Sequence, residues 1–463
     1  MWKYVCATLL CLSAIPVAAQ EIPALEVRIG EMVEDIECFS DPTQTYTLYV
    51  PTSYSSDRKL PVLLVFDPRG RSLLAAELFR EAAEDFGWII VSSDNTRSDG
   101  PWEPNLKAIQ ALWPEIHARI PIDFSRVYAA GFSGGVAVAT LLARTTGEIA
   151  GIIGAGGRKF ENQFESNELP FFGFAGDTDF NFLQMHLLDE FLAENGNPHR
   201  LVVFDGTHTW MPDYLAYEAV EWMELIAMKT GSRDRDPEMI ASLFATDLDR
   251  AEIVADDGDL VSAMRRLREM ERTFAGLHDT SPAAEAAERL EASDEYRRQR
   301  KQARRERDYR QTCLDRRNSE LTRLRQSEVP PPIRQVAGNL HFRELKKDAE
   351  KPGGEGKAAQ WCLNAMYSAL SFYLPLDDLP QERYAQVAVS YELANMIRDD
   401  NAVVWYNLAC VRALTGQKKE AVEALQHALE NGFQNWELIQ TDPDLDPIRK
   451  RDDFAQLMGR IPE

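Results

Sequence analysis

Between about residues 45 and 205, short continuous apolar runs alternate with segments of helical period. The runs fall at residues 46–50, 61–66, 88–92, 126–131, 149–154, 170–175 and 201–204. Several are unbroken, such as Val62-Leu63-Leu64-Val65-Phe66, rather than alternating with polar residues. Unbroken runs of this length predict strands buried on both faces of a parallel sheet. Between them, residues 73–86, 105–120, 134–145 and 182–195 carry apolar positions at helical spacing, and 214–229 closes the set. Pro114 is expected to kink or divide the second of these helices, since proline removes an N–H and crowds the preceding turn. Strand–helix alternation of this kind predicts an α/β fold with right-handed crossovers.

After Gly231 the texture changes to helical period almost throughout, with residues 237–292 reading as helix pairs. Residues 297–325 hold twelve Lys or Arg against four acids, a stripe that suits either a docking surface or a solvated helix face paired with the acidic remainder. Pro330-Pro331-Pro332 is expected to stop that helix as a stiff hinge, and 351–357, with Gly353-Gly354, to form a flexible loop. Further on, Trp405-Tyr406-Asn407-Leu408-Ala409 has the Trp-x2-Leu-small spacing of a helix–turn–helix repeat, with Gly416 in the turn and Ala421, Leu425 and Ala428 on the second helix. One repeat length earlier, Ala394 and Tyr391 take the places of Ala428 and Leu425, and 358–373 supplies the partner helix, with an enlarged turn at 375–380.

Composition narrows the function classes. The 463 residues carry 51 basic and 74 acidic side chains, a formal charge of −23, which argues against binding a phosphate backbone. With 44% apolar and 10% aromatic residues the chain can build real cores. No run of about 18 apolar residues occurs, so no bilayer span is expected. Residues 1–19 show the order of a secretory signal: Lys3, an apolar core, then Val17-Ala18-Ala19, with cleavage expected near Ala19–Gln20. Cys11 follows Leu10, which does not support a lipoprotein anchor. Export, to a bacterial periplasm or the medium, would permit disulfides among Cys38, Cys313, Cys362 and Cys410. Their scatter suits buried free thiols equally well, and their spacing is not that of a zinc site, so no metal is expected.

The segment that carries chemistry is Gly131-Phe132-Ser133-Gly134-Gly135, a Gly-x-Ser-x-Gly directly after a predicted strand and before a predicted helix. The turn is tight enough to strain the serine backbone, and side chains at 131 and 135 would collide with neighbours. A serine alcohol needs a base. Of the seven histidines only His208 lies in a loop just past the last strand, after the serine in the chain order Ser, acid, His. The acid should follow the preceding strand, where Asp179 completes Gly176-Asp177-Thr178-Asp179; Asp177 could instead brace that turn, and Asp205 is a third candidate. An oxyanion hole needs two donors. One is the Gly134 amide; the other should come from Asp67-Pro68-Arg69-Gly70-Arg71, where Pro68 has no N–H and Arg69 is favoured over Gly70. Trp102, Trp210, Arg69 and Arg71 suit pocket walls, and a structural role suits both tryptophans as well. An imidazole base must be neutral, so activity is expected to fall on acidification through the ordinary histidine range.

These residues carry two resemblances. Residues 45–230 resemble an α/β-hydrolase, nearest the polyhydroxybutyrate depolymerase, feruloyl esterase and dienelactone hydrolase group, on Ile122-Asp123-Phe124-Ser125-Arg126-Val127-Tyr128 leading into the serine turn and on Gly206-Thr207-His208-Thr209-Trp210. That resemblance implies carboxylic-ester hydrolysis through an acyl-enzyme, with Ser133 as nucleophile, Asp179 as acid and His208 as base, and no cofactor. Many members have His-Gly where this chain has Asp67-Pro68. Residues 358–463 resemble tetratricopeptide repeats, with residues 431–449 like the terminal unit of bacterial arrays. That implies a concave surface for a protein partner, or an array that packs on the first domain. The chain thus reads as a leader over 1–19, an α/β-hydrolase sheet domain over 20–231, a charged repeat-like region over 232–328, a Pro/Gly hinge over 329–357, and all-α repeats with a terminal cap over 358–463. Its expected function is that of an exported serine hydrolase acting on an ester substrate, with repeats open to a protein partner and no role in nucleic-acid binding. The competing readings are a non-catalytic exported scaffold and a prolyl-oligopeptidase-type peptidase. The second lacks the repeats of a four-strand propeller blade that such an enzyme uses as a gate.

Overall fold

The computed structural model describes Leu25 and residues 27–98, 101–157 and 169–459. The expected leader over 1–19 lies outside the described residues. Among the described residues eight strands run β1 (Met32–Cys38), β2 (Asp41–Tyr49), β3 (Leu60–Phe66), β4 (Ile89–Ser93), β5 (Ile122–Phe132), β6 (Gly151–Ala155), β7 (Phe171–Gly176) and β8 (His199–Phe204). They form one sheet in the order β1-β2-β4-β3-β5-β6-β7-β8. β1 and β2 are antiparallel, as are β2 and β4, and the rest are parallel. This is a mostly parallel α/β sheet, followed in the chain by a helical region. The continuous apolar runs fall on strands, and in the centre of the sheet they are buried on both faces; every residue of β3 and β4 is buried.

Helices cover both faces. α1 (Ser72–Glu77), α2 (Arg80–Phe86) and α6 (Asp213–Thr230) bury Ala75, Ala82, Ala219 and Met223 with Val65, Ile90 and Phe172. α3 (Glu103–Arg119), α4 (Gly134–Thr146) and α5 (Phe182–Asn195) bury Leu112, Val138 and Leu188 with Leu64, Ala129 and Ile152. Pro114 does not divide α3. Ile109, Leu112 and Ile116 are buried on both sides of it, and the buried Glu115 is fixed by the Tyr46 hydroxyl at 2.8 Å and Arg119 at 2.6 Å. That packing outweighs one lost backbone bond.

The described residues form two compact units, one from those up to 177 with 181–301, the other from 178–180 with those from 302 onward. The first therefore extends well beyond residue 231, to include α7 (Pro237–Asp256), α8 (Leu260–Phe274) and α9 (Ser281–Ala292). A buried ionic cluster accounts for this. Arg200 on β8, 3% exposed, meets Asp247 of α7 at 2.6 Å, Glu218 of α6 at 3.4 Å and Glu269 of α8 at 3.5 Å. Arg266 of α8 meets the same Glu218 at 2.7 Å. Burial pushes the Glu269 carboxyl up to about 8, against the opposing pull of Arg200.

The division falls inside α10 (Asp294–Gln326). In the second unit the expected hinge over 329–357 is instead occupied by α11 (Ile333–Asn339) and α12 (Phe342–Ala349), and Pro332 stands at the start of α11. The expected loop at 351–357 belongs mostly to α13 (Gly353–Ser368), because Ala358, Ala359 and Trp361 bury the face that follows. A π turn (Ala369–Tyr373) and α14 (Leu374–Asp378) lead to α15 (Tyr384–Ile397), α16 (Ala402–Leu414) and α17 (Lys418–Glu430). α16 packs on both α15 and α17, burying Ala394, Ala409, Ala421, Leu425 and Ala428 completely. α18 (Trp436–Thr441) and α19 (Asp452–Met458) end the unit, where Ile439, Leu445 and Ile448 are also fully buried. Cys38, Cys313, Cys362 and Cys410 are buried free thiols. Among the described residues no helix is long and apolar enough to cross a membrane.

Candidate active site

Strand β5 ends at Phe132, paired with β3 as far as Gly131 and with β6 as far as Phe132, and α4 begins at Gly134. Ser133 alone makes the turn. It sits at φ 52° and ψ −116°, in a region that side chains rarely adopt, and its N–H donates to the Ala155 carbonyl at 2.8 Å. The strain has a local cause. A Cβ added at Gly135 would lie 1.8 Å from the Phe66 carbonyl oxygen, and one at Gly131 would lie 2.3 Å from the Gly135 backbone. The helix is thereby pressed against the central strands, and the serine takes the whole reversal. Gly135→Ala is expected to cost about 1–3 kcal/mol or more, because the obstructing atom belongs to β3 and cannot yield without breaking the ladder. Urea denaturation measures the loss, and an unchanged midpoint would refute it.

Ser133 Oγ and His208 Nε2 are hydrogen-bonded at 2.9 Å, although 75 residues separate them. The His208 loop follows β8. It is braced by the Asp177 side chain, which accepts from the Gly206 amide at 3.3 Å, while the Asp177 amide donates to the Phe204 carbonyl at 2.9 Å. The imidazole stands 4.6 Å from the Phe132 ring, centre to centre. Both Ser133 and His208 are half-buried. Asp179 lies in the turn after β7 and is fully buried. Its neighbours in that turn bond within the helical unit: the Thr178 carbonyl accepts from Asn364 Nδ2 at 2.9 Å, and Phe180 meets the Tyr373 ring. Asp205 is exposed.

The loop after β3 departs from expectation. The Arg69 amide, predicted as the second oxyanion donor, donates to Asp67 Oδ1 at 2.8 Å, and the Gly70 amide donates to the Asp67 carbonyl at 3.1 Å. An N–H held by a carboxylate at that length is already engaged, so the Arg69 assignment is corrected. The Gly134 amide is the first of α4, and the first amides of a helix have no partner within it.

Asp67, which sequence reasoning noted only as a departure from His-Gly, is a structural hub. Its side chain is fully buried and accepts from Arg71 Nε at 3.0 Å, Arg71 Nη2 at 2.8 Å and Trp210 Nε1 at 2.8 Å as well as from Arg69. Burial pushes its carboxyl up, and the bonds from Arg71, Trp210 and the Arg69 amide outweigh that, holding it below the usual carboxylate range. Trp210 is therefore a buried strut, two residues past His208, and Trp102 is half-buried against the core. Both arginines are exposed, but the Arg71 guanidinium is tied to Asp67. Among the described residues one grouping of metal-ligand types occurs, Cys410, Asp442 and Asp444, in the helical unit. There Asp442 already accepts from the Tyr406 hydroxyl at 2.6 Å and from the Asp444 amide at 3.0 Å.

No family model matches the chain. A curated relative, a chloroplastic protein of Arabidopsis thaliana, is 34% identical over 65 residues, 14% of this chain. The chain spans 19% of that relative's length. The solved structures to which it is similar include Est1E from Butyrivibrio proteoclasticus, at 15% identity and a TM-score of 0.35, covering 43% of this chain and 99% of that one. They also include a thermostable esterase at 20% identity and a TM-score of 0.35, covering 42% of this chain and 62% of that one.

Proposed function

We propose that the chain is an exported serine hydrolase that cleaves carboxylic esters through an acyl-enzyme, with a helical-repeat module for a protein partner. The observation that carries this is the 2.9 Å bond from Ser133, on a strained turn at φ 52°, to His208. A positive φ on a serine between a buried strand and a helix is costly, and such strain concentrates where a side chain must be presented for chemistry. Export is supported by the charge, apolar and small-residue order of residues 1–19. The repeat reading is supported by the buried small residues at 394, 409, 421 and 428.

In the first half-reaction His208 Nε2 takes the Ser133 proton as Oγ bonds to the ester carbonyl carbon. The carbonyl oxygen becomes an oxyanion at the Gly134 amide, where the α4 dipole also favours negative charge. Its collapse expels the alcohol, which leaves with the proton from His208. Water then attacks the acyl-enzyme, giving its proton to His208, and the carboxylic acid departs as Ser133 is restored. Asp179 is the carboxylate assigned to hold the imidazole tautomer and offset its positive charge. The reaction needs no redox partner.

A fluorophosphonate probe tests the reading on the intact purified chain. Covalent labelling is expected, with the adduct on the peptide that contains Ser133 by mass spectrometry, along with turnover of short aryl and acyl esters. A folded chain that takes no label and turns over no ester would instead be the non-catalytic scaffold.

A further inference from the structure

Cys313 and Cys362 lie on different helices of the second unit, α10 and α13, yet their thiols are hydrogen-bonded to each other. The contact belongs to a continuous seam. On α10, Glu306, Arg310, Cys313 and Arg317 recur at helical spacing and so share one face. On α13, Gly354, Ala358, Cys362 and Ala365 do the same. The two faces meet at three levels, in the same order along both helices. The Glu306 carboxylate lies over Gly354, where a Cβ would collide with it; the thiols meet next; then Arg317 Nη1 donates to the Ala365 carbonyl at 3.2 Å. The helices therefore run parallel here, and α13 presents only hydrogen, methyl and thiol groups along the seam. Close approach of this kind is what a disulfide requires. Helices packed about 8–10 Å apart, each with its Cα atoms about 2.3 Å from the axis, bring facing Cα atoms to about 5 Å, within the range of about 4.4–6.8 Å that an S–S bond spans.

The other two buried thiols have different surroundings. Cys38 stands near Glu115 and Arg119 in the first unit, and Cys410 Sγ lies 3.7 Å from Asp442 Oδ2. Cys313 and Cys362 are 3% and 0% exposed. Burial pushes the Cys362 thiol up, and the bond with Cys313 adds to that. A buried thiol held in its protonated form is a poor nucleophile, so the packed pair is protected from exchange in either redox state. Oxidation therefore belongs to the folding chain, before α10 and α13 close on each other.

We propose that Cys313 and Cys362 are a redox pair, oxidised during folding by an exogenous disulfide to a disulfide bond that joins α10 to α13. The inference rests on the export part of the reading above, as the setting that supplies such an oxidant, and not on the ester chemistry. One of the two thiolates attacks a sulfur of the oxidant, breaking its S–S bond, forming a mixed disulfide and releasing one thiol. The second cysteine then attacks the first, forming the 313–362 bond and releasing the other thiol. The pair loses two protons and two electrons, and the oxidant gains them. The new bond ties the last part of α10 to α13 and so removes freedom from the unfolded chain between them.

The test refolds the full chain from urea in dithiothreitol or in a mixture of oxidised and reduced glutathione. Free thiols are then blocked with iodoacetamide in urea, and the peptides are mapped by mass spectrometry. In the glutathione arm the peptides of Cys313 and Cys362 are expected as one linked species, two hydrogens lighter than their sum, with Cys38 and Cys410 alkylated. The thermal midpoint should stand about 5–15 °C above that of the dithiothreitol arm. Cys313→Ser and Cys362→Ser should each abolish the difference between the arms. Glutathione adducts or free thiols at 313 and 362, or a linkage to Cys38 or Cys410 instead, would overturn the proposal on the parent chain alone, whatever the variants do. So would a 313–362 linkage that leaves the midpoint unmoved or lowers it, since the native seam would then not accommodate the bond. Leader cleavage on expression in a bacterium reads export separately: an uncleaved chain that still links 313 to 362 on refolding refutes export and upholds the pair.

Discussion

Replacing Ser133 by alanine is expected to lower kcat for ester hydrolysis by about 10⁴–10⁶-fold, and His208→Ala to reach much the same floor. The two side chains act as one unit across their 2.9 Å bond, so the double variant should be no worse than the worse single variant. What remains is whatever rate the oxyanion donors and substrate positioning supply by themselves. Stability should hardly move. Alanine keeps the Cβ, so it bears the same backbone strain at φ 52°, and Ser133 is half-buried, so little packing is lost. Burst and steady-state kinetics on an activated ester, beside a urea melt of each variant, separate these effects. Additive losses in the double variant would mean that the serine and histidine do not work together, and more than a tenth of the activity in Ser133→Ala would remove it as nucleophile.

The meeting of Ser133 with His208 was legible because each carries a local signature: glycines at fixed offsets around a serine between strand and helix, and a histidine in a loop past the last strand. The strands from β3 to β8 were legible for a similar reason, as burial on both faces writes itself as an unbroken apolar run. β1 was not, because Met-Val-Glu-Asp-Ile-Glu-Cys is an antiparallel edge with only Cys38 fully buried, and its acids hide the pattern. The extent of the first unit was hidden too. Arg200 and Asp247 stand 47 residues apart, and nothing local in either marks them as partners. Arg69 is the more instructive miss. Asp67-Pro68-Arg69-Gly70 has the residues of a type I turn in their favoured places, Asp first, Pro second and Gly fourth, and the turn closes with the Gly70 amide on the Asp67 carbonyl. An aspartate opening such a turn also tends to bond the amide two residues on, which is where the Arg69 N–H goes. Reading that turn from the sequence would have shown that the loop's amides already have acceptors.

The same aspartate leads to the second large effect. Asp67→Asn is expected to lower stability by about 2–4 kcal/mol and kcat by about 10–100-fold. An amide brings its own N–H₂ to a site whose neighbours, Arg71, Trp210 and the Arg69 amide, are all donors, so at least one of them loses its acceptor. The Trp210 N–H is the costly one, because it is buried and cannot turn to water, whereas Arg71 is 41% exposed and its ion pair is discounted accordingly. Activity follows stability because Trp210 stands two residues beyond His208 and packs near Phe132, the residue before Ser133, at 5.6 Å between ring centres. Releasing that strut lets His208 move relative to Ser133, and misplacement of reacting groups by about 1 Å can cost about 10²-fold. Trp210→Phe, which removes only the donor, should lose about 1.5–3 kcal/mol, and the double variant should lose less than the sum of the two. The pH dependence gives the sign. The folded carboxyl ionises below its ordinary value of 3.8, so the advantage of wild type over Asp67→Asn is complete above that value and disappears as pH falls through the lower folded one. An advantage that instead grows with acid, or additive losses with Trp210→Phe, would show that Asp67 does not couple the loop after β3 to the histidine loop.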